Sequence, residues 1–252
     1  MKTMRRISNW AGAILLLTSA AWASGQLEIS NSSTAPGVAR THGTNRSVQS
    51  QVDAEGITLA VSYDGKLVTT RTGADWTEVG LTFKTFLRGI TYGDGLFVVV
   101  GGSYIDHPGV ILTSHDGTTW TLRRSGTRAN LYAVTHGNGI FVAVGDNHTV
   151  LSSKNGITWK PRTQITADLL LSSVAFGNGA FVAVGDSGMV LTSTGTIHWQ
   201  VRNSGTSAYL SKVRYESGAF LATRRKDFSS SEAKASLGFR TEPSATSLLL
   251  DL

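Results

Sequence analysis

Apolar residues recur along the chain in short runs that are separated by glycine-rich turns. In one representative unit the apolar and polar positions divide into four segments, at residues 131–136, 140–144, 149–153 and 157–161. None of these segments has sustained helical periodicity, and short runs bounded by turn residues predict β-strands. The second segment is almost entirely apolar, which indicates a strand covered on both faces. We therefore expect the unit to contain four short strands.

Glycine marks the turns between these predicted strands. Gly137-Asn138-Gly139 separates the first two strands, and Lys154-Asn155-Gly156 separates the last two. Because Asn-Gly readily takes the positive φ angles of a primed turn, the second site predicts a tight hairpin.

The unit is repeated, and each complete copy ends in a tryptophan. Copies occupy residues 56–76, 87–120, 131–159 and 171–199, and a fifth begins at 210–222. The tryptophans lie 44, 39 and 40 residues apart. A four-stranded repeat of this length is typical of a propeller blade, and stacking buries the apolar faces that a lone blade exposes. We predict an all-β β-propeller of four-stranded blades, with about four complete blades, a partial fifth and a ring that is either closed or incomplete. A β-solenoid is the alternative fold.

The segment before each tryptophan resembles the Asp-box (BNR-like) repeat of sialidase-like and photosystem-assembly-factor-like β-propellers. The resemblance covers about residues 56–222, and its residues are Trp76, Ser114, Asp116, Gly117, Trp120, Ser153, Asn155, Gly156, Trp159, Ser193 and Trp199. These copies are one residue shorter than the usual Ser-x-Asp-x-Gly-x-Thr-Trp box, and only the copy at 114–120 keeps the aspartate. The resemblance implies a structural role. The aspartate accepts backbone N–H groups in the turn between the third and fourth strands, the glycine supplies a positive φ, and the tryptophan packs the outer layer of the blade.

Recognisable catalytic chemistry is missing from the sequence. The Phe/Tyr-Arg-Ile-Pro signature of sialidases does not occur, and no two glutamates can be nominated as a glycosidase pair. The six histidines show no metal-ligand spacing, and the absence of cysteine excludes disulfides and thiolate sites. We expect no catalytic residue, metal or cofactor. A degenerate sialidase-like hydrolase or lyase is the alternative, and it predicts acidic and arginine side chains converging on the central channel.

Two features are candidate binding sites. The loop after Gly101 is four residues longer than its counterpart after Gly145, and it carries Tyr104, Asp106 and His107. Extra loop length on a regular scaffold often carries function. The alternative is a tolerated surface insertion, because lengthening a loop costs little entropy. An arginine also follows the tryptophan by three residues in three copies. These arginines are Arg123, Arg162 and Arg202, with Arg128 near the first. The alternative for them is a cation–π contact with the tryptophan ring.

The N-terminal segment has the pattern of a secretory signal. Lys2, Arg5 and Arg6 precede an apolar stretch at 11–21, and Ala21-Trp22-Ala23 forms a cleavage site. An uncleaved anchor is the alternative, but the apolar stretch is short for a span of roughly 20 residues. Removal of residues 1–23 leaves 20 basic and 17 acidic residues, a net charge of +3. That charge is too small to indicate nucleic-acid binding.

The expected organisation is a signal peptide at 1–23, an irregular polar segment at 24–55, propeller repeats at 56–222 and a degenerate or disordered tail at 223–252. Residues 48–52 are a candidate for the missing first strand of the first blade. The sequence favours a secreted or periplasmic, non-enzymatic scaffold that binds an unknown protein or glycan and contacts the membrane only through its signal segment. A truncated or frameshifted fragment of a larger propeller is a further alternative.

Overall fold

The computed structural model describes residues 47–72, 76–81, 85–102, 109–162 and 169–224, together with the backbone of two strands at 27–28 and 247–250. The proposed signal segment and most of the two ends therefore lie outside the described residues. Within the described part, the chain forms five antiparallel sheets and a single turn of 3₁₀-helix. No helix of this part is long and apolar enough to cross a membrane.

Each sheet is a meander of strands that are consecutive in sequence. The first contains β1 (Leu27–Glu28), β2 (Ser47–Ala54), β3 (Ile57–Ser62), β4 (Leu67–Thr70) and β5 (Thr77–Glu78). The second contains β6 (Phe86–Gly93), β7 (Leu96–Gly102), β8 (Val110–Ser114) and β9 (Thr121–Arg124). The third contains β10 (Leu131–Gly137), β11 (Ile140–Gly145), β12 (Val150–Ser153) and β13 (Lys160–Pro161).

The last two sheets continue this order. The fourth contains β14 (Leu171–Gly177), β15 (Ala180–Gly185), β16 (Val190–Ser193) and β17 (Gln200–Arg202), with the 3₁₀ turn at Asp186–Gly188. The fifth contains β18 (Leu210–Glu216), β19 (Ala219–Arg224) and β20 (Ser247–Leu250). Residues 48–52 lie in β2, and the strands extend on both sides of the expected 56–222 range.

The sheets are the blades of a β-propeller, because the inner strands of successive sheets pack on one another in the order β2, β6, β10, β14 and β18. Strand β7 shows how the apolar second strands bind the blades together. Phe97 and Val99 belong to an apolar cluster with the first blade, whereas Val98 and Val100 belong to a cluster with the third. Alternate residues of one strand therefore fill two interfaces, which confirms the prediction of a strand covered on both faces.

Glycine and aromatic residues interlock between neighbouring blades at the ends of the inner strands. A Cβ atom added to Gly93, Gly137 or Gly177 would lie within 2.1 Å of the ring of His136, Phe176 or Tyr215 in the next blade. Each of these rings also packs on a phenylalanine of its own second strand, with ring centroids 4.5 to 4.9 Å apart. The missing side chain in one blade thus makes room for the ring of the next.

Two predictions about the hairpin between the third and fourth strands were wrong, namely its turn type and the residue at which the fourth strand begins. The primed-type turn lies instead between the first and second strands, where both Asn138 and Gly139 have positive φ angles. At the later turn Gly156 alone has a positive φ, because the Asn155 side chain accepts backbone N–H groups and makes a wider turn. This wider turn also explains why the fourth strand begins at Lys160 and not at Ile157.

Candidate partner-binding face

Two side chains hold the turn at residues 114–120 of the second blade, and we call this turn and its counterparts in the other blades the box turns. Asp116 Oδ1 accepts the backbone N–H groups of Thr118 at 2.8 Å and Thr119 at 2.7 Å, and Ser114 Oγ accepts that of Gly117 at 2.9 Å. Asn155 Oδ1 takes the place of the carboxylate in the third blade, with bonds of 3.0 and 2.9 Å to the N–H groups of Ile157 and Thr158. Asp116 is thus occupied by the turn, which makes its role structural.

Asp116 makes the stability of this turn dependent on pH. The backbone N–H groups of Thr119 and Thr118 and the Ser114 hydroxyl hold the pKa of Asp116 well below its usual range. A lowered folded-state pKa stabilises the protein above the ordinary carboxyl value of about 3.9, and this contribution is lost as the pH falls below it. We expect the stability advantage of the native chain over Asp116→Asn to shrink between about pH 5 and pH 2, measured by urea unfolding. Asn155→Asp is the matched control and should gain the same dependence, whereas identical pH profiles for all three proteins would contradict the assignment.

The box of the fourth blade carries a strained threonine. Gly195 occupies the position of Asp116, and Thr196 occupies that of Gly117 with a φ of 65°. A β-branched residue with positive φ is unfavourable because its side chain clashes with its own backbone.

We expect Thr196→Gly to stabilise the protein by about 1 kcal/mol, because the relief of strain exceeds the entropy cost of the new glycine. The two turn bonds, from the Thr196 N–H to Ser193 Oγ and from Trp199 Nε1 to the carbonyl of residue 196, survive this change. Thermal and urea unfolding test it. Gly205→Thr is the reverse control and should destabilise, because Gly205 has a φ of 70° and an added Cβ there meets nothing within 4 Å. A stability loss in Thr196→Gly would contradict the strain.

Three of the four repeat tryptophans, Trp120, Trp159 and Trp199, lie at interfaces between blades. Trp159 packs in a cluster that spans the second and third blades, and Trp199 in one that spans the third and fourth. Each indole N–H of the second to fourth blades also donates to a carbonyl of its own box turn, as for Trp120 Nε1 to Gly117 O at 3.2 Å. Trp76 is buried with three residues of the first blade, Val48, Ala60 and Val68. Each of these tryptophans is therefore a packing residue.

The three predicted arginines occupy equivalent places on consecutive blades. Their Nε atoms donate to hydroxyls of the third strand, from Arg123 to Thr113 at 2.8 Å, from Arg162 to Ser152 at 2.8 Å and from Arg202 to Thr192 at 3.1 Å. They do not stack on the tryptophan of their own blade. Arg123 is paired with Ile111, which faces the next blade, whereas Trp120 packs towards the preceding one. Arg128 is exposed on the segment that follows β9.

Tyr104, Asp106 and His107, the predicted residues of the long loop, lie outside the described residues. The strand that leads into this loop, β7, ends at Gly102 on one face of the propeller. We call it the connection face, because the turns between second and third strands there bond to the segments that lead from one blade to the next. In the third blade, the N–H of Asp146 donates to Asn130 O at 3.0 Å, and that of His148 donates to Leu169 O at 2.7 Å.

A polar cluster that the sequence analysis missed lies on this face. Arg88 and Tyr132 each occupy the irregular position near the start of an inner strand, at a break in the register. The Arg88 guanidinium lies over the Tyr132 ring, 4.8 Å from its centroid, and so joins the second and third blades. Asn130 Nδ2 donates to Asp146 Oδ2 at 2.9 Å on the same side. We call these four residues, Arg88, Asn130, Tyr132 and Asp146, the connection cluster.

The environment of the connection cluster keeps its tyrosine protonated. Burial, followed by the charge of Asp146 and a hydrogen bond to it, raises the pKa of Tyr132 to about 12 against the opposing effect of Arg88. Tyr209, which immediately precedes the fifth blade, adds to the rise. Arg88 and Tyr132 lie on β6 and β10, inner strands that pack on one another around the axis shared by the blades. The phenol of Tyr132 is thus bonded to Asp146, while its ring lies under Arg88.

The internal repeat does contain a signal for this cluster. The leucine that begins each inner strand is repeated at 87, 131, 171 and 210, but the next residue changes from Arg88 to Tyr132, Ser172 and Ser211. A position that varies inside an otherwise regular repeat indicates a local role. Among the described residues, no group of three or more histidine, aspartate or glutamate side chains is placed to hold a metal ion.

No family model and no curated protein matches the chain. Among solved structures, it is similar to YCF48 bound to a D1 peptide, with a TM-score of 0.53 and 16% identity over 70% of this chain and 61% of that one. It is similar to YCF48 from Cyanidioschyzon merolae, with a TM-score of 0.56 and 16% identity over 79% and 67% of the two chains. A nidogen/laminin complex gives a TM-score of 0.56 and 11% identity over 71% and 72%. The chain thus spans less than two thirds of the first of these proteins. At these identities the similarity concerns the fold, and that fold is the β-propeller.

Proposed function

We propose that this chain is an exported, non-enzymatic scaffold that binds a protein partner through its connection face. The connection cluster carries the proposal. It presents a half-buried arginine and a half-buried tyrosine close together near the axis, and these two residue types dominate the affinity of protein interfaces. A hydrogen bond to Asp146 holds the Tyr132 side chain in place, so Tyr132 loses little side-chain entropy when a partner binds.

Arg88 indicates which chemical group the partner presents to this face. Among the described residues no carboxylate forms an ion pair with Arg88, and its contact with the Tyr132 ring uses none of the N–H groups of the guanidinium as hydrogen-bond donors to a carboxylate. An arginine edge binds a carboxylate through two parallel hydrogen bonds. We therefore expect the partner to present an aspartate or glutamate side chain at this place.

The similar structures support a protein as the partner. In one of them YCF48 is bound to a D1 peptide, and another is a complex of nidogen with laminin. The positive N-terminal segment with its A-x-A site supports export. Detection of a mature chain that begins at Ser24 outside the cytoplasm tests export separately from binding.

Selection from a random peptide library on the purified chain tests the binding proposal. We expect enriched peptides to contain aspartate or glutamate. Arg88→Ala should weaken their affinity by about tenfold or more, as for the loss of a hydrogen bond to a charged group, and Tyr132→Ala should weaken it as well. Arg214→Ala is the matched control, because Arg214 lies on another inner strand and bonds to Glu216 at 2.7 Å. Peptides that bind all four proteins equally, or glycoside hydrolysis that Arg88→Ala abolishes, would overturn the proposal.

A further inference from the structure

The arginines of the outer strands form an array with a fixed geometry. We call Arg123, Arg162 and Arg202 the rim row. In each of them the Nε–H donates a hydrogen bond to a buried hydroxyl oxygen of the third strand, at 2.8, 2.8 and 3.1 Å. A guanidinium has about five N–H donors, so this bond orients the group and leaves its terminal donors available. The same orientation recurs in three consecutive blades, which a random scatter of surface charges would not produce.

The outer strands that hold the rim row, β9, β13 and β17, contain no aspartate or glutamate. Asp116, in the turn before β9, stays negatively charged, and its Oδ1 is bound by two backbone N–H groups of that turn. The outer strands and the segments next to them hold four further basic residues, Arg124, Arg128, Lys154 and Lys160. Seven basic residues are thus concentrated on three blades of a chain whose expected mature net charge is +3.

We propose that the rim row is a binding site for a linear anionic polysaccharide that carries sulfate or carboxylate groups. Planar guanidiniums recognise both groups through paired hydrogen bonds. The three arginines occupy equivalent positions on consecutive blades, so they recur once per blade along the row. A flexible chain with regularly spaced anions can follow such a row from one blade to the next. This site is distinct from the connection cluster and does not depend on the proposed protein partner.

A heparin octasaccharide serves as the probe, with binding measured by calorimetry at several salt concentrations. We expect the triple variant Arg123→Gln/Arg162→Gln/Arg202→Gln to bind about 30-fold more weakly, since each exposed ion pair contributes about threefold. The salt dependence of binding should fall with it, because fewer ion pairs are screened. Lys66→Gln/Arg71→Gln/Arg214→Gln removes the same charge elsewhere and should change the affinity by less than about threefold. Arg88→Ala should have no effect, which separates this site from the connection face.

Lysine variants keep the test decisive if the glutamine variant does not fold. Arg123→Lys/Arg162→Lys/Arg202→Lys retains the charge but loses the oriented guanidiniums, and we expect it to bind about threefold to tenfold more weakly. Equal losses in the rim-row and control triples would show that net charge alone acts, and would overturn the proposal. Full octasaccharide binding by the lysine triple would overturn it too. So would tight binding to vesicles with about 30% phosphatidylserine that depends on the rim row while the octasaccharide does not bind.

Discussion

Trp159→Ala should destabilise the protein by about 3 to 5 kcal/mol, the usual cost of removing a buried tryptophan. Only 8% of Trp159 is exposed, and it belongs to one apolar cluster with Leu96 and Val98 of the preceding blade. Its ring lies 6.5 Å from that of Phe141, and its Nε1 donates to Gly156 O at 2.8 Å. The change therefore leaves a cavity in the interface between two blades and also removes the hydrogen bond from the indole to the turn.

Urea unfolding followed by circular dichroism measures this loss. Trp120→Ala is the graded control, because Trp120 is only partly buried and should cost less. Trp159→Phe keeps most of the apolar contact and should recover more than half of the loss. A cost below about 1 kcal/mol for Trp159→Ala, within the range of ordinary surface substitutions, would contradict its place between the blades.

Gly137→Ala should destabilise the protein by about 3 kcal/mol through overpacking. The added Cβ would lie 2.1 Å from Cγ of Phe176 in the next blade, well inside van der Waals contact. The ring cannot simply rotate away, because it also packs on Phe181 with a centroid separation of 4.7 Å. Relief therefore requires the third and fourth blades to move apart.

Two further variants distinguish this clash from a general effect of alanine. Gly195→Ala adds the same methyl group where nothing lies within 4 Å and φ is not positive, so its effect should be small. In the double variant Gly137→Ala/Phe176→Leu, the smaller side chain should recover part of the stability lost by Gly137→Ala alone. Additive effects of the two changes, measured by the same urea unfolding, would show that Gly137 and Phe176 do not contact each other.

The blade architecture could be predicted from the sequence because it depends on local patterns that the chain repeats. The apolar run at 140–144 indicates burial on both faces, and β11 is indeed buried on both. The spacing of the tryptophans defines the period, because Trp120, Trp159 and Trp199 fill equivalent interfaces between blades. The turn at 153–159 was predicted with the wrong geometry, since a general Asn-Gly preference does not include the side-chain oxygen of Asn155 as a turn acceptor.

The contacts of the connection cluster could not be predicted because they form between blades. The variable position after the repeated leucine marks Arg88 and Tyr132, but the two residues are 44 positions apart and the pattern does not show that they meet. Only the packing of β6 on β10 brings them together. The arginines of the rim row were found from their spacing, but the sequence suggested that they stack on tryptophan. The pairing of β8 with β9 instead places Arg123 and Trp120 on opposite faces of the blade.

A cross-link between two neighbouring blades tests most directly whether successive sheets stack as blades. Asp94 and His136 lie on the second and third blades, and their side chains meet at 3.1 Å between Oδ2 and Nε2. The chain has no cysteine of its own, so an introduced cysteine pair can be labelled selectively. We expect a short bis-maleimide to bridge Asp94→Cys/His136→Cys within one molecule, seen by mass spectrometry as a single added linker with no free thiol. Asp94→Cys/Phe176→Cys, whose second cysteine lies one blade further on, should take up two linkers instead. No bridge in the adjacent pair, or equal bridging of both pairs, would contradict the stacked-blade architecture.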